Sequence, residues 1–158
     1  RLMRRMHFSS RETTMVAEMV DAHMRPLQMA QQGPPSNRAI YRFFRDTGEA
    51  GADTLFLSLA DHMAAVGPRL SMDGWRRHLA IISHILRRRM EDPSVISPVQ
   101  LLRGDDLMTA LGLAPGPELG RILELVREAQ AAGEVETREE ALDLARQHLE
   151  QPGTTRKS

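Results

Sequence analysis

The sequence predicts an all-α protein, and three observations support that class. Apolar residues recur at the three- and four-residue spacing of helices, and no segment alternates apolar and polar residues as a half-buried strand does. Aromatic residues make up only 4% of the chain, whereas ten methionines suit helix-on-helix packing. Glycine and proline fall between the periodic segments, where they end helices. We therefore expect a bundle-like helical region followed by a small helical tail module.

Helix-start and helix-stop residues place the first two helices. Ser9 and Glu12 match a capping box, which predicts the start of a helix that Pro26 then ends. Ser36 is the predicted N-cap of a short second helix, and Gly48 follows its end. The breaker-rich residues between the two helices predict a connection.

Two longer helices follow, over about residues 53–66 and from Ser71 or Asp73 to about residue 89. Each carries apolar residues at helical spacing that we expect to face the core. They are Leu55, Leu59, Met63 and Val66 on the first of these helices, and Trp75, Leu79, Ile82 and Leu86 on the second.

One segment predicts a boundary between two helical regions. Residues 91–100 contain two prolines, which interrupt regular helix. We therefore assign residues 1–91 to the first region and residues 92–150 to the tail module, and we expect residues 151–158 to fray.

The sequence of the tail module predicts three short helices. Gly133 supplies the cap that ends the second of them, and Thr137 with Glu140 repeats the capping box before the third. The helices cover about residues 105–111, 117–132 and 138–149.

Composition limits the classes of function. Cysteine is absent, which excludes disulfides and thiolate metal sites and favours the cytoplasm as the location. No apolar run approaches the roughly 20 residues that a membrane span needs. Residues 1–91 carry 14 basic and nine acidic side chains, whereas residues 92–158 carry seven and 12. This asymmetry permits anion binding on one face, or two solvated surfaces that attract each other.

The stretch LAPGPELG, residues 113–120, is the sharpest local signal. Pro117 takes the first helical position, where its missing N–H costs nothing. Gly116 and Gly120 remove side chains near that helix start, so an RNA phosphate could approach the exposed N–H groups, with Arg121 beside them. The alternative is a tight loop whose glycines allow close helix packing. Glu118 would also compete with a phosphate for the same donors.

Two arginine clusters flank the fourth predicted helix and give a second candidate contact with RNA. They predict a patch that binds phosphates. The alternative is a solvated helix end, because the helix dipole favours cations at its C-terminus. The residues are Arg76 and Arg77 before the helix centre and Arg87, Arg88 and Arg89 at its end.

Residues 104–142, reading GDDLMTALGLAPGPELGRILELVREAQAAGEVETREEAL, resemble a segment near the C-terminus of bacterial tRNA nucleotidyltransferases, the family of CCA-adding enzymes and poly(A) polymerases. The resemblance implies that this portion binds tRNA or another RNA. It also implies a head domain of the same parent chain as partner, which would bind Mg²⁺ and transfer the nucleotide. The Gly-Ser and Asp-x-Asp signature of that head is absent here, so we expect no catalytic residue and no cofactor in this chain.

A second resemblance concerns the front region. The residues LADH at 59–62 are similar to the last motif of HD-type metal-dependent phosphohydrolases, whose final Asp is a metal ligand, and the HMRP that begins at His23 is similar to another late motif. The resemblance implies an HD-like region between head and tail. Asp61 would bind a metal only in the full-length parent, since the HD pair and the preceding His are absent here.

The leading hypothesis is therefore the RNA-binding C-terminal portion of a tRNA nucleotidyltransferase or poly(A) polymerase, which positions tRNA for an absent head. CCA addition, partial CCA addition and poly(A) addition stay open. The alternatives are a remnant of an HD-type phosphohydrolase and a helical protein-interaction module. We also expect truncation to expose apolar surface at Met15, Met19 or Leu55, and a homodimer to form through it.

Overall fold

The computed structural model describes residues 2–150, which fold into two compact units that divide between Ile96 and Ser97. Every regular element in this part of the chain is a helix, so the all-α prediction is confirmed. The first unit contains α1 (Leu2–Arg5), α2 (Ser10–Ala22), α3 (Arg25–Met29), α4 (Asn37–Thr47), α5 (Gly51–Val66) and α6 (Met72–Glu91), with 3₁₀ turns at Gly48–Ala50, Gly67–Arg69 and Pro93–Val95. The second contains α7 (Gly104–Leu111), α8 (Pro117–Ala131) and α9 (Arg138–Glu150).

Side-chain caps begin the helices where the sequence placed them. The Glu12 N–H donates to Ser9 Oγ at 3.2 Å, and the Ser9 N–H donates to the Glu12 carboxylate at 2.8 Å. This confirms the predicted capping box of α2. At α6 the Gly74 N–H donates to Ser71 Oγ at 3.1 Å, so Ser71 is the N-cap rather than Asp73.

The core of the first unit lies where α4, α5 and α6 meet. Phe43 and Phe44 pack edge to face, with ring centroids 5.2 Å apart. Two buried hydroxyls in this unit have local partners, because Thr47 and Thr54 each donate to the carbonyl oxygen four residues earlier. The fully or nearly buried apolar residues of this core are Ile40, Phe43, Phe44, Leu55, Ile82, Ile85 and Val95.

Two predicted boundaries in the first unit differ from the structure. Helix α2 ends at Ala22, and Pro26 lies in the first turn of α3 instead of ending a longer helix. Proline is tolerated there because the first N–H groups of a helix have no intrahelical partner. The predicted linker also begins too early, because Val95 is buried in the core of the first unit.

The predicted inward faces of α5 and α6 need correction. Met63 is 51% exposed and Leu79 is 42% exposed, although both were expected in the core. On α6 the buried position is taken by His78 instead, next to Ile82 and Ile85 in the helical repeat.

The second unit packs three helices around a core that all of them supply. Gly112 ends α7 in the left-handed conformation (φ 66°), and Gly133 follows α8 with φ 75°. The Glu140 N–H donates to Thr137 Oγ1 and the Thr137 N–H to the Glu140 carboxylate, at 3.2 and 3.1 Å, which confirms this capping box. The core contains Leu102, Leu107, Ile122, Val126, Ala129, Val135, Ala141 and Ala145.

The exposed apolar residues are not those expected from the sequence. Leu55 is fully buried and Met15 and Met19 are half-buried, so none of them forms an exposed surface. The large apolar side chains that do reach solvent include Val20, Phe56, Met63, Leu79 and Met90. Within residues 2–150, no helix combines the length and the apolar character that crossing a membrane requires.

Candidate nucleic-acid interface

Three of the five predicted arginines on α6 are occupied by neighbours within the first unit. Arg76 forms an exposed ion pair with Asp73 at 3.4 Å. Arg88 donates from Nε to Asn37 Oδ1 at 3.1 Å, and its Nη2 lies 3.7 Å from Oδ2 of Asp92, the residue that follows α6. The Arg89 guanidinium stacks 4.7 Å above the ring of Phe44. Arg88 and Arg89 therefore connect α6 to α4, whereas the pair of Arg76 lies within one turn of α6.

The other two, Arg77 and Arg87, are exposed and have no hydrogen bond or ion pair with any described residue. They lie at opposite ends of one groove with a volume of about 400 Å³, which we call the α6 groove. Its lining residues are Ala30, Gly33, Pro34, Pro35, Arg77, Ala80, Ile81, His84 and Arg87.

Helical spacing explains how α6 forms one wall of the groove. Residues 77, 80, 81, 84 and 87 follow the three- and four-residue repeat that places side chains on one helix face. Ala80 is small enough to leave space between the two arginines. The sequence contained this signal, but the opposite wall comes from residues 30–35, far away in the chain.

Two hydrogen bonds hold that opposite wall against α6. His84 Nε2 lies 3.0 Å from the Pro35 carbonyl oxygen. Because a carbonyl only accepts, Nε2 must carry the proton and donate it. The bond from Arg88 to Asn37 fixes the chain just after this wall, at the start of α4. The groove is therefore formed before any ligand arrives.

The candidate contact in the second unit lies at the N-terminus of α8. No side chain caps this helix start. A Cβ at Gly116 or Gly120 would meet no atom within 4 Å, and Gly116 is in an extended conformation that any residue adopts. Close packing therefore does not require glycine at either position. Arg121 and Glu118 pair with each other at 3.4 Å, which offsets part of the charge of both.

The residues that resemble HD motifs do come together in the first unit. His23 Nε2 lies 3.8 Å from Asp61 Oδ2, while His23 Nδ1 contacts the carbonyl oxygen of Val20 at 2.5 Å. No group of three or more potential metal ligands occurs in the described part of the chain. One imidazole and one carboxylate are too few to hold a catalytic metal. Asp61 as a metal ligand therefore stays a prediction for the longer protein.

A buried polar cluster that the sequence did not indicate lies between α5 and α6. His78 Nε2 lies 3.1 Å from Ser58 Oγ, and both side chains are buried. The ring of His62 contacts His78 edge-on, with centroids 5.1 Å apart, and stacks near Trp75 at 6.3 Å. Burial, and then the neighbouring His62, lower the pKa of His78. Because the cluster is closed to solvent at Ser58 and His78, it supports the fold rather than offering a ligand site.

Comparisons with known proteins agree on one family. The family model of tRNA nucleotidyltransferase domain 2 matches residues 86–145. The chain is 33% identical over 154 residues to an A-adding tRNA nucleotidyltransferase of Deinococcus radiodurans, an alignment that covers 97% of this chain and 34% of the relative. It is 36% identical over 126 residues to a CC-adding tRNA nucleotidyltransferase of Thermus thermophilus, covering 80% of this chain and 26% of the relative.

A CC-adding tRNA nucleotidyltransferase of Geobacter sulfurreducens is 33% identical over 140 residues, covering 88% of this chain and 30% of the relative. No solved structure gives a significant match. The chain thus spans about a third of the length of these relatives and matches their C-terminal portion. From the family model and the near-complete coverage of this chain, we conclude that it belongs to the tRNA nucleotidyltransferase family.

Proposed function

We propose that this chain is the RNA-holding C-terminal portion of a tRNA nucleotidyltransferase, and that it positions tRNA for nucleotide addition by a head domain of the same parent protein. The observation that carries the proposal is the similarity over 97% of the chain to an enzyme named for adding A to tRNA. We propose that the parent protein acts in the cytoplasm. Mg²⁺ belongs, in this proposal, to the head domain and to none of the residues described above.

We propose that a part of the parent protein outside this chain selects the nucleotide. An A-adding relative and two CC-adding relatives match it at 33%, 36% and 33% identity. If this portion selected the nucleotide, the chain would be expected to favour one type of relative clearly. Holding the RNA is a task that both types of enzyme share, and it fits a portion that resembles both.

The α6 groove is the strongest candidate contact with the RNA backbone. Its two arginines carry charges that no described residue neutralises, so a phosphate need not displace a protein carboxylate to bind them. The other three arginines would first have to give up a contact within the protein: Arg76 with Asp73, Arg88 with Asn37, and Arg89 with Phe44. We therefore expect Arg77 and Arg87 to contribute more to RNA affinity than the other three. The open N-terminus of α8 is the second proposed contact.

A remnant of an HD-type phosphohydrolase is the second candidate function, and the 3.8 Å approach of His23 to Asp61 favours it. That pair would need further ligands from the parent chain before it could bind a metal. No specific feature of the described residues supports the third hypothesis, a helical protein-interaction module.

The test is binding of labelled tRNA by the 158-residue chain across a salt series, with double-stranded DNA as competitor. We expect tRNA to bind preferentially and its affinity to fall with salt. Arg77→Ala and Arg87→Ala should each weaken binding several-fold and each lower the slope of log K against log salt by about one, as for the loss of one phosphate contact.

Arg76→Ala is the matched control, since Arg76 is on the same helix and exposed but paired with Asp73. It should change the affinity less than either groove variant. Equal binding of tRNA and the DNA competitor would overturn the tRNA-holding function, and binding of neither would favour the interaction module.

A further inference from the structure

The α6 groove contains more than two cations. Between Arg77 and Arg87 its surface is formed mainly by proline rings and aliphatic side chains, with the imidazole of His84 among them. We call this apolar surface, to which both walls contribute, the apolar floor; its residues are Ala30, Pro34, Pro35, Ala80 and Ile81. A simple phosphate contact needs guanidinium groups and gains nothing from an apolar floor. The groove is therefore built for a ligand that joins an anionic part to a flat apolar part.

An RNA nucleotide has those two parts. Its phosphate can take two hydrogen bonds from a guanidinium, and its base presents a flat face that packs against apolar surface. The groove volume of about 400 Å³ lies within the range of small-ligand pockets, roughly 300–1,000 Å³. A base within an A-form duplex is stacked and paired, so its face is not free to enter such a groove.

We propose that the α6 groove binds one unpaired nucleotide of the RNA, with its base on the apolar floor and the flanking phosphates on Arg77 and Arg87. This inference rests on the proposed RNA-holding function and specifies which part of an RNA the groove takes. The hydrogen bond from His84 to the Pro35 carbonyl holds the wall formed by residues 30–35 against α6.

The groove can be filled without changing its charge. Ala80 lies on the floor between the two arginines and is exposed, so Ala80→Leu adds bulk where the base would lie and leaves the core intact. Ala64→Leu makes the same chemical change at an exposed position of α5 that does not line the groove. It is therefore a matched control for the effect of leucine on an exposed helix.

The experiment measures the binding of the 158-residue chain to two labelled RNAs, an oligouridine and a blunt-ended RNA duplex without unpaired nucleotides. We expect tighter binding of the oligouridine. Ala80→Leu should weaken that binding about five- to tenfold, toward the lower end of what packing of one base contributes, and should barely change binding of the duplex. Ala64→Leu should change neither, and circular dichroism should show equal helix content in all variants.

Two outcomes would overturn the inference, and they are distinguishable. If Ala80→Leu leaves oligouridine binding unchanged, while Arg77→Ala and Arg87→Ala weaken both RNAs equally, the groove contacts phosphates only. The RNA-holding function would then stand without the nucleotide site. If the chain binds neither of these RNAs nor tRNA, both proposals fall together.

Discussion

His78 is a titratable side chain enclosed by α5 and α6. Its Nε2 has Ser58 as partner, whereas its buried Nδ1 has no partner among the described residues. In the neutral ring that protonates Nε2, the bare Nδ1 is only an unused acceptor. Protonation would turn it into a buried donor without an acceptor, close to the ring of His62. The folded state therefore favours neutral His78, in agreement with the lowered pKa.

This predicts a loss of stability in mild acid. Because the pKa of His78 is lower in the folded chain than its ordinary value of 6.5, the unfolded state binds more protons as the pH falls through that value. The free energy of unfolding should be largest above pH 6.5 and should fall below it, until the folded form is protonated as well. Urea unfolding at a series of pH values measures it, and His78→Gln, which cannot titrate, should flatten the dependence in this range.

The control for this prediction is His7→Asn, which removes an exposed histidine. His7 has φ 61°, and asparagine tolerates that left-handed conformation. This variant should keep the pH dependence of the unmodified chain. If His78→Gln also keeps it in full, then His78 is not the group responsible.

The burial of His78 could not be predicted from the sequence. The helical pattern predicted Leu79 in the core, yet the structure buries His78 and exposes Leu79. The partner that makes burial of His78 tolerable is Ser58, on another helix. No local pattern around residue 78 contains that information. Arg76 and Arg77 are a second example, because adjacent arginines look alike until Asp73 pairs with one of them.

Helix ends were predictable because the interactions that make them are local. The capping boxes at residues 9–12 and 137–140 join groups three residues apart. Pro26 was misassigned because a proline is compatible with either the end of one helix or the start of the next. Of the α6 groove, only Arg77 and Arg87 were among the residues predicted from the sequence, because the opposite wall at residues 30–35 depends on tertiary packing.

Helix α8 allows stability and RNA binding to be separated. Gly120 lies in its first turn with open space around it, so Gly120→Ala should stabilise the second unit by up to about 1 kcal/mol. Gly112→Ala should destabilise it by about 1 kcal/mol, because Gly112 has φ 66°. Urea unfolding measures both changes.

If the start of α8 holds an RNA phosphate, the added methyl group should obstruct its approach. Gly120→Ala should then bind tRNA more weakly although it is more stable. Gly112→Ala provides the reference for an effect of stability alone. Unchanged tRNA affinity in both Gly116→Ala and Gly120→Ala would exclude these glycines from the interface.

At the scale of the whole molecule, the class, the family and the presence of two helical regions followed from the sequence, since helical periodicity and the motif at residues 104–142 extend over long segments. The division after Ile96 did not, because prolines indicate where a helix stops and not which core the following residues join. In particular, Val95 is 2% exposed and belongs with α4 and α6.

Self-association of the isolated chain is still expected, although through other residues than those first proposed. Phe56, Met63 and Met90 are each more than half exposed. Light scattering at high concentration should therefore show species larger than a monomer. Phe56→Glu should shift the distribution toward the monomer, whereas Ala64→Glu, also exposed on α5, should have less effect. A monomer at every concentration would contradict the prediction.

The burial of Val95 also sets the rule for dividing this protein into fragments. A fragment that stops at Glu91 would lose the turn Pro93–Val95 and leave an opening beside Ile40, Phe43 and Ile85. Cleavage between Ile96 and Ser97, or expression of two fragments that meet there, would instead leave both cores whole. Such halves could be studied apart, so that the groove on α6 and the start of α8 could each be assigned its own share of the affinity for RNA.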